Sequence, residues 1–246
     1  MLRRFYAPVS AKSGTTITLD VAETHHLRDV LRLGVNDQVR VFDGEGSEYR
    51  CLIRGVDRNS TALEIIEKES RIVESPIDIT LCQALVKGEK FDLIVQKATE
   101  LGVRRIIPVI TAHSELKVNA ESANRKLERW QRISMEAVKQ SERTRLVEIQ
   151  VPTTLNVALK TNSDFRYFFA ERGESPLKNT RDNASALGQN LTIFIGPEGG
   201  WQEEEVSLAR DNGCQIVTIG PRILRTETAA ITALSLIQYL FGDLAD

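Results

Sequence analysis

Leu191-Thr-Ile-Phe-Ile-Gly196-Pro197-Glu198-Gly199-Gly200-Trp201 runs into Gln202-Glu-Glu-Glu205, and Gln215-Ile-Val-Thr-Ile-Gly220-Pro221 runs into Arg222-Ile-Leu-Arg225-Thr226-Glu227-Thr-Ala-Ala230. Twice, an apolar run of strand composition stops at Gly-Pro. Each time a helical pattern follows, over Glu203–Asn212 and over Thr226–Leu240. Strand, turn and helix in alternation is the signature of an α/β fold whose largely parallel sheet is covered on both faces.

The same texture extends toward the N-terminus. Ile77–Leu85, Arg105–Ile110 and Phe165–Ala170 read as strands. Phe91, Ile94, Val95, Ala98 and Leu101 fall at helical spacing from Lys90 onward, with Gly102 as a C-cap, and a long helix is predicted over Glu121–Gln140. The polar stretch Glu69-Ser-Arg-Ile-Val-Glu-Ser-Pro76 reads as a linker. Before it the pattern is β-rich. Thr15–Leu19 and Thr61–Ile66 are strand-like, and Gln38–Phe42 turns through Asp43-Gly-Glu-Gly46 into the alternating Tyr49, Cys51 and Ile53. A helix over Glu23–Leu33 presents Leu27, Val30 and Leu31 on one face, and Gly34 stops it. Several short strands and one helix suggest a small barrel. The expected organisation is a barrel over residues 1–72 and an α/β domain over residues 73–246.

Composition sets the outer limits. The chain has 246 residues, 41% of them hydrophobic and 27% charged, with a net charge of -2. That excludes a disordered chain, a collagen-like fibre and a basic tail protein. Cys51, Cys82 and Cys214 are sparse and odd in number, which argues against a disulfide framework and for a reducing cytoplasm. Neither they nor His25, His26 and His113 have metal-ligand spacing, so no metal is expected. The first residues lack the apolar core of a signal peptide, and the longest apolar stretch, Ala229–Phe241, is too short to span a bilayer. The expectation is a cytoplasmic protein with no membrane association. Charge is nearly balanced in both parts, so net charge announces no nucleic acid. Locally, residues 121–145 hold seven basic and four acidic groups, and Arg3 and Arg4 with the His25–Arg32 segment form a second basic patch.

Two glycine-bearing strand ends side by side suggest a ligand site, because an open α/β sheet binds ligands beyond the carboxyl ends of its strands. Neither loop is a dinucleotide fingerprint or a P-loop, and three glutamates at the next helix start oppose phosphate there while suiting the helix dipole. Thr226 is placed to cap the final helix. That helix is apolar on nearly every side and must be covered on every side, which predicts a homodimer.

Gly196-Pro-Glu-Gly-Gly200 together with Leu224-Arg-Thr-Glu-Thr-Ala229 closely resembles the ribosomal small subunit methyltransferase E family of the SPOUT superfamily. His26-x-x-Asp-Val-Leu-Arg32, Phe42-Asp-Gly, Lys87-Gly-Glu-Lys90 and Gln96-Lys-Ala-Thr-Glu-Leu-Gly102 carry the resemblance through the whole chain. It implies a C-terminal SPOUT domain with a trefoil knot, a PUA-like barrel that binds RNA, a homodimer, and transfer of a methyl group from S-adenosyl-L-methionine to uracil N3 of 16S ribosomal RNA in the small ribosomal subunit. It places the cofactor on three segments: the strand end Phe169, Ala170 and Glu171; Gly196, Glu198, Gly199 and Gly200; and Ile219, Gly220 and Leu224, with Thr226 beyond them. The chemistry asks for a group that stabilises a uracil anion and a base that removes the N3 proton, for which Arg225, Glu227 and Glu198 are the candidates. N3 lies on the pairing edge, so the uridine must be unpaired or extruded. Arg3, Arg4, Arg28 and Arg32 are the first candidates for RNA contact, and Lys87, Lys90 and Arg143 the second. Other readings stay open: a methyltransferase of the same superfamily acting on another RNA, a non-catalytic RNA-binding assembly factor, and a nucleotide-dependent enzyme using the strand-end glycines.

Overall fold

A computed structural model describes residues 2–70, 73–114, 120–172, 175–177 and 190–245. The chain forms two compact units: Met1–Glu74 together with Val138–Leu146, and Ser75–Ala137 together with Val147–Asp246.

The first unit is a six-stranded sheet. Its strands are β1 (Arg3–Tyr6), β2 (Lys12–Ser13), β3 (Thr16–Leu19), β4 (Gln38–Phe42), β5 (Glu48–Val56) and β6 (Thr61–Glu69), in the order β1-β4-β5-β6-β3-β2. β1 lies parallel to β4, and the other neighbours are antiparallel. Phe5, Ile17, Leu19, Val39, Val41, Ile53 and Leu63 point to one core, each contributing about 1.5–3 kcal/mol by leaving water. Helix α1 (Val21–His25) starts where the Asp20 side chain accepts from the Glu23 N–H at 2.8 Å. It then widens into a π-helix over His26–Val30. The wider turn keeps Leu27 in the core but leaves Val30 out in solvent, which removes it from the apolar face that α-helical spacing predicts. The helix also ends before Gly34. Arg32 takes a left-handed backbone conformation, with φ 56°, and Gly34 opens the following turn instead.

A return segment completes this unit. The Glu74 carboxylate accepts from the backbone N–H groups of Thr144 and Arg145 at 2.7 and 2.9 Å and from the Arg143 guanidinium at 2.8 Å. Arg4 donates to Glu48 at 2.5 Å, to the Val138 carbonyl at 2.9 Å and to the Arg143 carbonyl.

The second unit is an eight-stranded parallel sheet. In chain order it comprises β7 (Asp78–Ala84), β8 (Arg105–Ile110), β9 (Glu148–Ile149), β10 (Thr153–Thr154), β11 (Phe165–Phe169), β12 (Ser175–Pro176), β13 (Asn190–Ile195) and β14 (Gln215–Thr218). The sheet order is β10-β8-β7-β13-β11-β14-β12, with β9 beside β8. The helices are α2 (Lys90–Glu100), α3 (Ala120–Gln140), α4 (Leu155–Ala158), α5 (Glu203–Asp211) and α6 (Thr226–Phe241).

Strand alternation builds two cores. Leu81, Ile106, Tyr167, Phe169, Ile193 and Ile195 face the cluster that includes Phe91, Trp130 and Ile237. Cys82, Ile107, Phe168 and Phe194 face the opposite cluster, with Leu155 and Ala209. The sheet is therefore covered on both faces, as the strand–helix alternation predicts. β13 separates β7 from β11, so the chain leaves this centre in both directions, and the crevice beyond the carboxyl ends of these strands is where such a sheet binds ligands.

Candidate active site

Beyond the ends of β11, β13 and β14 lies a cleft of about 550 Å³, counted to its open mouth. Phe169, Ala170 and Glu171 form one wall, and Ile195, Gly196, Pro197, Gly200 and Trp201 a second. The third runs from Thr218 and Ile219 through Arg222, Ile223 and Leu224 to Thr226 and Ala229 on α6. The lining is mainly apolar, and Glu171 and Arg222 are its charged side chains.

The loops are fixed by specific bonds. Trp201 donates its indole N–H to the Phe169 carbonyl at 2.9 Å and lies against the Phe168 ring, centroids 4.3 Å apart. A Cβ on residue 196 would meet the indole nitrogen at 2.9 Å, so this approach requires glycine. Gly200 closes the turn with its N–H on the Pro197 carbonyl at 3.0 Å, at φ 70°. Thr226 donates its hydroxyl to the Gly196 carbonyl at 2.7 Å and accepts from the Gln83 amide at 3.0 Å. Thr226 is thus not the helix cap. Arg225 occupies that position with an extended backbone, and Thr226, the first helical residue, ties α6 to the end of β13.

Of the residues expected on the cofactor, Phe169, Ala170, Glu171, Gly196, Gly200, Ile219, Leu224 and Thr226 line this cleft. Glu198, Gly199 and Gly220 do not. Glu198 and Gly199 instead line a neighbouring recess of about 870 Å³ with Lys87, His113 and Ser114, on the other side of the same turn. His113 seats that turn, with Nδ1 3.0 Å from the Gly200 carbonyl. Glu198 is ion-paired with Lys90, and both side chains are well exposed, so the pair is a weak one. Arg225 is exposed, and its side chain makes no hydrogen bond or ion pair among the described residues, while its carbonyl accepts from the Ala229 N–H at 2.8 Å. Glu227 is half-buried, and its Oε2 is enclosed without a hydrogen-bond partner among those residues. One of the glutamates that open α5 has a structural use: Glu205 accepts from the backbone N–H groups of Ala112 and Gln202 at 3.0 and 2.9 Å.

The basic candidates divide by exposure. Arg3, Arg32 and Lys87 are exposed. Arg28 is half-exposed and forks onto Asp29, which raises its own pKa and lowers that of the Asp29 carboxyl. Arg4 and Arg143 are turned inward, at 8% and 3% side-chain exposure, and are spent on Glu48, Glu74 and backbone carbonyls. On α3, Arg129 pairs with Asp92 at 2.5 Å and Lys139 with Glu23 at 2.5 Å, which neutralises part of the basic run.

The thiols offer no nucleophile. Burial pushes Cys51 up to about 12 and Cys214 up to about 11, and raises Cys82 further. Among the described residues, no three His, Cys, Asp or Glu side chains gather into a metal-binding group, and no helix is long and apolar enough to cross a membrane.

Residues 73–238 match the model of the RNA methyltransferase domain, and residues 19–66 match that of the RNA methyltransferase PUA domain. The chain is 34% identical over 230 residues to ribosomal RNA small subunit methyltransferase E of Bacillus subtilis, covering 91% of this chain and 90% of that protein. This chain belongs to the small subunit methyltransferase E family. The corresponding protein of Synechocystis is 36% identical over 228 residues, covering 92% of this chain and 73% of that one. A crystal structure of the Neisseria gonorrhoeae family member, bound to S-adenosylmethionine, aligns with a TM-score of 0.89 at 32% identity, covering 99% of this chain and 100% of that one. The small subunit methyltransferase E fold is therefore the fold found here: a SPOUT α/β domain following an N-terminal PUA-like domain. The protein is an RNA methyltransferase.

Sequence reasoning in this family finds the glycine loops but passes over Trp201, Gln83 and His113. Gln83 left a trace, as a polar residue inside the apolar run Leu81–Leu85. Trp201 and His113 left none, because what they touch is distant in sequence.

Proposed function

We propose that this protein methylates N3 of a specific unpaired uridine in 16S ribosomal RNA, using S-adenosylmethionine, on the assembled small subunit and in the cytoplasm. The observation that carries the reading is the strand-end cleft in a chain of this family. Its residues fit the cofactor. Phe169, Ile219 and Leu224 offer apolar surface to a purine, and the loop backbones around Gly196–Gly200 and Ile219–Leu224 offer polar edges. Glu171 and Arg222 match the ammonium and carboxylate of an amino-acid tail. The bound cofactor supplies a methyl group already activated on a sulfonium.

The protein's own task is position and proton transfer. Uracil N3 carries a proton at neutral pH, and that proton must leave before the nitrogen lone pair can take the methyl carbon as the carbon–sulfur bond breaks toward sulfur. Glu227 is assigned the proton, supported by its enclosed and unpartnered Oε2. Arg225, exposed beside it in sequence, is assigned the charge that builds on the uracil. Glu198 is the weaker candidate because it is exposed and paired with Lys90. Arg3, Arg28, Arg32 and Lys87 are assigned to RNA, with phosphates as their targets. The knotted chain path and the homodimer expected for the family belong to the same reading.

The test supplies labelled S-adenosylmethionine and purified protein to under-methylated small subunits and, in parallel, to naked 16S RNA, with the product identified by nucleoside mass spectrometry. 3-Methyluridine formed on subunits is the expected result. Methylation at another base position, or on another RNA alone, would overturn the assignment.

A further inference from the structure

Gln83 is fully buried near the carboxyl end of β7, among Leu81, Cys82, Ala84 and Leu85. Both protons of its amide are used. One goes to the Ala84 carbonyl at 3.1 Å and the other to the Thr226 hydroxyl at 3.0 Å. Thr226 in turn donates its hydroxyl hydrogen bond to the Gly196 carbonyl at 2.7 Å. The direction of this chain is forced. A carbonyl can only accept, so Thr226 must donate to Gly196, which leaves its lone pair facing Gln83, and Gln83 must donate. Its Oε1 is enclosed and has no partner among the described residues. A methionine of similar shape would bury no such orphan but would donate to nothing.

The three residues sit on three elements: β7, the loop after β13 and the start of α6. Gly196 and Thr226 line the cleft, and Gln83 lies behind them. We infer that Gln83 is a positioning residue, which acts through Thr226 to fix the spacing between the Gly196 loop and α6 and so sets the affinity for S-adenosylmethionine. This rests on the reading of the cleft as the cofactor site. Gln83 touches neither the cleft nor a reacting atom, so its loss is felt in cofactor binding and not in turnover once the cofactor is bound.

The substitution Gln83→Glu keeps the shape and changes the donor. An ionised carboxylate cannot donate to Thr226. A protonated one can, and burial favours protonation as the pH falls. Calorimetric titration of full-length wild type, Gln83→Glu and Gln83→Met with S-adenosylmethionine at pH 6 and pH 8.5 reads this directly, with the wild type correcting for the cofactor's own titration. Gln83→Glu is expected to bind roughly tenfold more weakly than wild type at pH 8.5 and to regain most of that at pH 6. Gln83→Met is expected to be weak at both. In methyl-transfer assays the KM for the cofactor rises in step, while kcat at saturating cofactor changes by less than about threefold.

If Gln83→Glu does not fold, Thr226→Val removes the middle of the chain from a helix end. The double variant Gln83→Met with Thr226→Val should then bind no more weakly than the worse single variant. Wild-type affinity in folded Gln83→Glu and Gln83→Met, a loss in Gln83→Glu that ignores pH, or fully additive losses would each overturn the inference. A wild-type protein that does not bind S-adenosylmethionine would instead overturn the reading of the cleft itself.

Discussion

Arg225 and Glu227 are two residues apart at the start of α6, yet their surroundings differ. The arginine is exposed and unpaired among the described residues, whereas the glutamate's Oε2 is enclosed. A guanidinium free of protein partners is available for a charge that forms only during reaction, and removing one such donor from an active site costs about 10²–10³ in rate. Arg225→Ala is accordingly expected to lower kcat by that order with cofactor affinity little changed, measured by single-turnover methyl transfer and by calorimetry. Glu227→Gln should flatten the acidic limb of the pH–rate profile. If that limb survives and Glu198→Gln removes it, the base is Glu198. The glycines of both loops were legible in the sequence because a turn at a strand end restricts residue type locally. Arg4 and Arg143 are expected as RNA contacts on charge alone, and sequence reports charge but not exposure. Their guanidinium groups are enclosed by Glu48, Glu74 and carbonyls from distant parts of the chain.

At the scale of the element, periodicity carried most of the reading, and it failed where an element is short or irregular. β4, β8 and the long helix α3 fall where alternation and helical spacing put them. β1 has four residues of which only Phe5 is fully buried, too little pattern to declare a strand, and its parallel pairing with β4 is a tertiary fact. The π-helix over His26–Val30 shares its composition with an α-helix. The return segment Val138–Leu146 is polar and basic, and nothing local announces that Glu74 will bind its backbone. Arg4 joins β1 to that segment. Its substitution by methionine would keep much of the packing while leaving the Glu48 carboxylate, at 3% exposure, without its counter-charge. Breaking a buried pair from one side costs about 3–5 kcal/mol. Arg4→Met is therefore expected to lower the unfolding free energy by that order, read from a lower urea midpoint at unchanged m-value, while leaving the salt dependence of RNA binding unchanged. A smaller salt slope with unchanged stability would return Arg4 to the RNA contacts.

At the scale of the whole molecule, the apolar helix α6 is the feature from which pairing of two copies is predicted. A helix this apolar is stable only when all its faces leave water. Within one chain α6 buries Ala230, Ala233, Leu234 and Ile237 and makes a polar tie through Gln238, which donates to the Leu101 carbonyl at 2.7 Å. Its other side is incompletely covered: Ile231, Leu236 and Leu240 are half-buried, and Tyr239 is 56% exposed. The sequence showed the surplus of apolar residues on this helix, but which of them the chain itself covers emerges only from packing on α2 and the sheet. Pairing of two copies through a self-complementary patch would cover the remainder, and a two-fold interface is the commonest way to do so. The solution mass is expected to be twice the chain's 27.6 kDa by light scattering at micromolar concentration. A buried unpaired carboxylate at such an interface is costly, so Tyr239→Glu should shift the equilibrium toward single chains without unfolding them. A wild-type protein that scatters as a single chain, or a Tyr239→Glu variant that dimerises as wild type does, would place the second copy elsewhere or remove it. The variant also asks whether methyl transfer needs the pair, since a monomer that keeps cofactor affinity but loses turnover would assign the partner chain to RNA.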